Sequence, residues 1–227
     1  MAYETKPPEQ LTQAPPALEA EPRWPALVAL LAVSGLSAAL PASLAVIPPW
    51  PLLAVVAALL VPTIVTHRRG QHALNQWLGY AVNGVVTAAM VGSLALLLRA
   101  LPTREETPVQ LLRSAASLWL TNILVFALWY WRLDAGGPND RDQRLGHPTG
   151  AFLFPQMTSS HMSAAETPQA WSPNFIDYLF LAFNTSTALS PTDVPVLSRW
   201  AKLLMMLQAM ISLTIIVVLA ARAINIL

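Results

Sequence analysis

The sequence predicts an all-α, polytopic integral membrane protein, and three observations predict it. Hydrophobic residues make up 55% of the 227-residue chain and charged residues only 11%, where a soluble domain is about a quarter charged. The charges cluster between long apolar runs, which is the pattern of spanning segments. Trp24, Trp50, Trp77 and Trp200 fall at the ends of those runs, where aromatic side chains meet the headgroups. The expectation is a helical bundle of five spans plus one re-entrant half-helix, with six spans as the alternative.

Residues 1–23 carry Pro7, Pro8, Pro15 and Pro16 among scattered glutamates. They lack the basic start of a secretory signal and read as a disordered tail. Residues 24–108 form a three-helix membrane region. Its first helix is expected from Trp24 to Leu44 and its second from Trp50 to Thr66, each apolar core near the roughly 17–25 residues needed to span. The uncharged link Val46-Ile47-Pro48-Pro49-Trp50-Pro51 is expected to be a tight turn, and Pro41 and Pro62 to kink or end the segments. A re-entrant pair is the alternative for these two. The third helix, about Gln76 to Leu98, carries Gly84, Ala88 and Gly92 at four-residue spacing, which lets a neighbouring helix come close.

Residues 109–227 form the second half. A helix from about Val109 to Trp131 bears a polar strip of Ser114, Ser117, Thr121 and Asn122 and closes on Trp129, Tyr130 and Trp131, read as headgroup-level aromatics. Residues 132–172 are too long for an ordinary connection. They form an extramembrane flap whose Phe152-Leu153-Phe154 patch dips into the interface or packs under the loop. Ser172-Pro173 begins a half-helix with loop over 173–193. Its apolar run, Phe175 to Phe183, is too short to cross. A long final helix, about 200–225, completes the chain.

This last unit resembles the pore module of potassium channels, in which a pore helix, a Thr-Thr-Val-Gly-Tyr-Gly-Asp filter and an inner helix follow one another. Thr187-Ala188-Leu189-Ser190-Pro191-Thr192-Asp193 falls in register with the filter. As a whole the chain looks like a bacterial integral membrane protein, which implies the inner membrane. The filter needs backbone carbonyls aimed inward, and its glycines permit that backbone. Ser190 and Thr192 replace the glycines here, and Pro191 replaces the tyrosine and restricts Ser190. The resemblance therefore implies a non-selective or non-conducting relative of the channels. It would be a homo-oligomer, a tetramer by analogy, in contact with the lipid bilayer and with monovalent cations. Thr187, Ser190, Thr192 and Asp193 would line the constriction. Gln208 and Ser212, four apart on the final helix, would line the cavity beneath it. In a plain bundle the same two would instead bond the polar strip of the 109–131 helix.

A structural or accessory membrane protein without transport activity is the competing reading. A small-solute transporter is the third, without the internal repeat such proteins carry. Near-zero net charge points away from nucleic acid. The absence of cysteine removes disulfides and thiolate chemistry. No metalloprotease, hydrolase or phosphate-loop motif occurs, so no catalytic residue, metal or cofactor is expected. His147 and His161 share the flap with Asp140, Asp142 and Glu166, and solvated loop residues are the simpler reading. Orientation is contested. The channel geometry places more arginines and lysines outside than the positive-inside rule prefers, and a crossing by residues 175–190 would relieve the conflict.

Overall fold

The computed structural model describes residues 21–103, 106–144, 150–159, 171–188 and 193–224. The helices are α1 (Trp24–Ser37), α2 (Pro49–Arg68), α3 (His72–Thr103), α4 (Pro108–Leu133), two short turns of helix, α5 (Pro138–Arg141) and α6 (Pro155–Ser159), then α7 (Phe175–Thr187) and α8 (Arg199–Ile224). Among the described residues the one extended pairing is an isolated antiparallel bridge between Phe152 and Val196. Four helices, α2, α3, α4 and α8, are long and apolar enough to cross a membrane.

α1 stops at Ser37, short of the expected Leu44. Leu40 is followed by Pro41, which cannot continue a helix and disfavours it in the residue before. The chain tightens instead, with Ala38, Ala39 and Leu40 donating to carbonyls three residues back. At about 1.5 Å per residue the helix reaches about 21 Å, against a hydrocarbon core of about 30 Å. Pro62 does not break α2.

α4 is the hub. It packs against α1, α3, α7 and α8, while α2 lies outside against α3 and α1. Its start is a capping box: Gln110 N donates to Thr107 Oγ1 at 3.2 Å, and Thr107 N donates to Gln110 Oε1 at 2.9 Å, with Pro108 at the first helical position. Its end is sharp. Ala135 turns left-handed at φ 51° and Gly137 follows at φ 92°. A Cβ on Gly137 would stand 2.7 Å from the Arg132 carbonyl oxygen, so this reversal requires glycine.

Two ends of the bundle follow from these connections. The link end joins α1 to α2 and α3 to α4; there Ser43 bonds Glu106, and Val46 N donates to Ser93 Oγ at 3.4 Å. The flap end gathers the starts of α1, α3, α7 and α8 and the finishes of α2 and α4. The expected tail lies outside the described residues up to residue 20, but Glu21–Arg23 are docked on the flap end. Trp131 and Arg141 both bond Glu21, and Arg23 bonds Asp142.

Residues 150–159 pack under this end. Phe152 is fully buried, with ring centroids 5.4 Å from Tyr130 and 6.1 Å from Trp200. Phe154 stacks edge-on to Tyr178 at 5.5 Å. The segment 193–198 runs beside it: Leu153 N donates to the Pro195 carbonyl at 2.9 Å and Leu197 N to the Ala151 carbonyl at 2.8 Å.

α7 is capped by Asn174, two residues beyond the expected cap at Ser172. Asn174 Oδ1 accepts from Ile176 N at 2.8 Å, and Asp177 Oδ2 accepts from Asn174 N at 2.8 Å. Asparagine caps as well as serine, and only this register puts an acidic partner at the third helical position.

Candidate functional site

The tip of α7 meets the middle of α8 and one face of α4. Gln208 and Ser212 are fully buried there, together with Ser186, Asn122 and Tyr130. The Tyr130 hydroxyl donates to Gln208 Oε1. Gln208 Nε2 donates to the Ala182 carbonyl and to Ser186 Oγ, both at 2.8 Å. Ser212 Oγ donates to the Ser186 carbonyl at 2.8 Å and accepts from Trp119 Nε1 at 3.1 Å. Asn122 Nδ2 reaches the Gln208 carbonyl at 3.4 Å. One acceptor, Asn122 Oδ1, is left over. Gln208 and Ser212 therefore face the inside of this chain and fasten the last turn of α7 to α4 and α8.

Thr187, one residue past Ser186, is exposed and donates back to the Phe183 carbonyl at 2.9 Å. Asp193 is exposed at the start of the returning segment. Ser190 and Thr192 lie outside the described residues. The structure thus joins Gln208 and Ser212 in one network, and places Thr187 and Asp193 on either side of a stretch that is not described. Sequence reasoning missed Ser186 and Tyr130. Ser186 sits in the run Asn184-Thr185-Ser186-Thr187, where nothing separates it from its neighbours. Tyr130 was expected at the headgroups and is fully buried, because residues 150–159 cover it.

A second polar cluster sits at the flap end. Asp134, fully buried, accepts from the Tyr178 hydroxyl at 2.7 Å and from Ala151 N at 2.5 Å. Arg141 donates to the Trp131 and Asp134 carbonyls at 2.8 and 2.9 Å, pairs with Glu21 at 2.8 Å, and stands 5.1 Å over the Tyr178 ring. Asn139 Nδ2 donates to Asn75 Oδ1 at 3.0 Å, and Asn75 Nδ2 donates to the Thr63 carbonyl at 2.6 Å. Burial lowers the Arg23 guanidinium from its ordinary pKa, against the opposing pull of Asp142 and Glu21.

Arg132 differs from its neighbours. Its residue is 8% exposed, and its guanidinium lies against Gly79 of α3, where a Cβ would fall 1.8 Å from Nη1. The guanidinium carbon stands 5.3 Å from the Trp131 ring centroid. Among the described residues no carboxylate pairs with it, unlike Arg23 and Arg141; its Nε has no acceptor, which is true of Arg141 Nε as well. A desolvated cation–π contact contributes about 2 kcal/mol, less than the cost of burying an unpaired charge.

Among the described residues no group of three histidines, cysteines or carboxylates stands close enough to hold a metal; His147, His161 and Glu166 lie outside them. Asp142 is engaged by Arg23, and Asp140 stands 3.9 Å from Arg144.

The class that these features define is a helical membrane protein with a buried polar junction at the tip of a short helix. Compared with known protein families, curated proteins and solved structures, the chain matches none.

Proposed function

We propose that this protein is a channel-like relative with a pore-loop unit, non-selective or non-conducting, in which α7 re-enters the membrane from the flap end instead of crossing it. The reading rests on where α7 begins and ends and on where residues 193–198 lie. α7 begins beside Trp131 and Asp134, with Phe175 packed edge-on to the Trp131 ring at 5.9 Å and Tyr178 bonded to Asp134. Its last turn is bonded to Gln208 and Ser212, part-way down α8. By Val196 the chain is back at the flap end, paired with Phe152. On this reading α1, though short, is the fifth span, and the protein is a homo-oligomer in the bacterial inner membrane, a tetramer by analogy with channels. Residues 187–193 form the constriction, with Asp193 at its mouth and monovalent cations as the permeant class. Gln208 and Ser212 hold the half-helix in place rather than lining a cavity.

The alternative is a structural or accessory protein whose half-helix packs inside its own bundle. The hydrogen bonds of Gln208 favour it, because its side chain finds all its partners within one chain.

Cysteine-free sequence makes the test direct. Single variants Gln143→Cys, Leu197→Cys and Ala42→Cys place thiols at exposed positions of the flap end, the returning segment and the link end. An impermeant thiol reagent on intact cells is expected to label 143 and 197 together and to give 42 the opposite outcome. Labelling of 143 and 197 from opposite sides means that residues 175–190 cross, and the pore-loop reading fails. Given co-labelling, flux in liposomes separates the two functions. Asp193→Asn changes cation flux if the loop conducts; a monomer without flux is the structural protein.

A further inference from the structure

The unpaired Arg132 lines a cavity at the flap end, between α1, α2 and α4, with a volume of about 290 Å³. One side of that cavity is polar, with Arg132 beside Arg23. The other is mainly apolar: Leu27 and Leu30 of α1 line it with Leu60 and Ile64 of α2, and Thr63 between the last two is its polar member. Both pairs lead away from the flap end, toward the middle of the bundle, since α1 starts at that end and α2 finishes there.

The depth of the guanidinium is marked by aromatic side chains. Trp77 is 72% exposed and Trp24 65% exposed, both on outward faces. Gly79, against which Arg132 lies, is two residues beyond Trp77, or about 3 Å along the helix axis. Exposed tryptophans of spanning helices sit at the headgroup level. Arg132 is therefore at the depth of lipid phosphates, with an apolar slot running inward beneath it.

An arginine at a membrane boundary normally extends its head into water. This one is turned inward onto Gly79 and enclosed, where an unpaired charge is costly. Its neighbours account for themselves: Arg23 has Asp142 and Glu21, and Arg141 has Glu21 and two carbonyls. A guanidinium is suited to phosphate, which accepts its fork of donors.

We propose that this cavity binds one anionic phospholipid, with its phosphate on Arg132 and an acyl chain in the slot between α1 and α2. The assignment is independent of the pore-loop reading, since it uses neither α7 nor α8.

The test uses the full-length protein purified in an uncharged detergent. Thermal unfolding is followed with dioleoylphosphatidylglycerol, with dioleoylphosphatidylcholine and with inorganic phosphate, and native mass spectrometry counts retained lipids. Phosphatidylglycerol is expected to raise Tm by about 5 °C and to leave one lipid bound, while phosphatidylcholine and inorganic phosphate do neither. Arg132→Gln abolishes both effects, and Arg199→Gln, an exposed position, keeps both. Gly79→Ala is the second variant: it keeps the charge but removes the seat of the guanidinium, and lipid retention falls at least several-fold. If inorganic phosphate alone reproduces the shift, the site is a free-anion site and the lipid assignment is wrong. If Arg132→Gln or Gly79→Ala retains the lipid as the wild type does, the site lies elsewhere.

Discussion

The junction at the tip of α7 and the cavity at Arg132 are both polar regions enclosed by apolar helices, and they differ in how their polar groups are satisfied. At the junction Gln208, Ser186, Ser212, Tyr130 and Trp119 exchange hydrogen bonds within one chain. At the cavity Arg132 lies against the Trp131 ring and Gly79, with Tyr80 and Arg23 nearby, and has no carboxylate partner among the described residues. Inside a bilayer a polar group without a partner is costly. A network closed but for Asn122 Oδ1 therefore reads as a fastening between helices, and an unpaired charge beside a slot reads as half of an interaction. Gln208 and Ser212 belong to the first kind, both bonded to the last turns of α7 within the chain.

The comparison can be broken most forcefully at Arg141, the buried cation that does have a carboxylate partner. Arg141→Met takes from Glu21 its 2.8 Å cation, leaving it Trp131 and the longer contact to Arg23, and takes one donor from each of two carbonyls at the flap end. Removing one member of a buried pair costs about 3–5 kcal/mol, and unfolding in detergent should show a loss of that order. An effect under about 1 kcal/mol would mean that the pair is held open to water. Gln208→Leu comes next. It removes three side-chain bonds, to Tyr130, Ala182 and Ser186. Hydrogen bonds between membrane helices average about 0.6 kcal/mol, so a loss of about 2 kcal/mol is expected. Ion flux, where there is any, should fall only as far as α7 loosens. A specific change in ion preference with stability unchanged would restore Gln208 to the pore.

Much of this was legible in the sequence and some was not, for physical reasons. The apolar runs of α3, α4 and α8 and their flanking tryptophans specify long helices by themselves. The short apolar run of α7 is equally plain. Side-chain burial at helix ends is not local information. Tyr130 and Trp131 carry the composition of headgroup aromatics, but one is covered by Phe152, and the other is packed against Phe175 and bonded to Glu21. The end of α1 was displaced by Pro41, whose effect reaches back through Leu40 into a weak three-residue pattern. Arg132 counted as one basic residue on one side of the membrane. Its burial depends on the missing side chain of Gly79, 53 positions earlier in the chain, and no period or motif connects the two.

The smallest expected effect is the most discriminating. Arg132→Met replaces an enclosed, unpaired guanidinium by an apolar side chain of similar length. In lipid-free detergent nothing is stranded by this change, so stability should be unchanged or should rise by up to about 1 kcal/mol, the reverse of Arg141→Met. With phosphatidylglycerol added, the order of wild type and variant should invert, because only the wild type gains from the anion. A loss of several kcal/mol in lipid-free detergent would instead place Arg132 with Arg141, as a residue that holds the flap end together by itself.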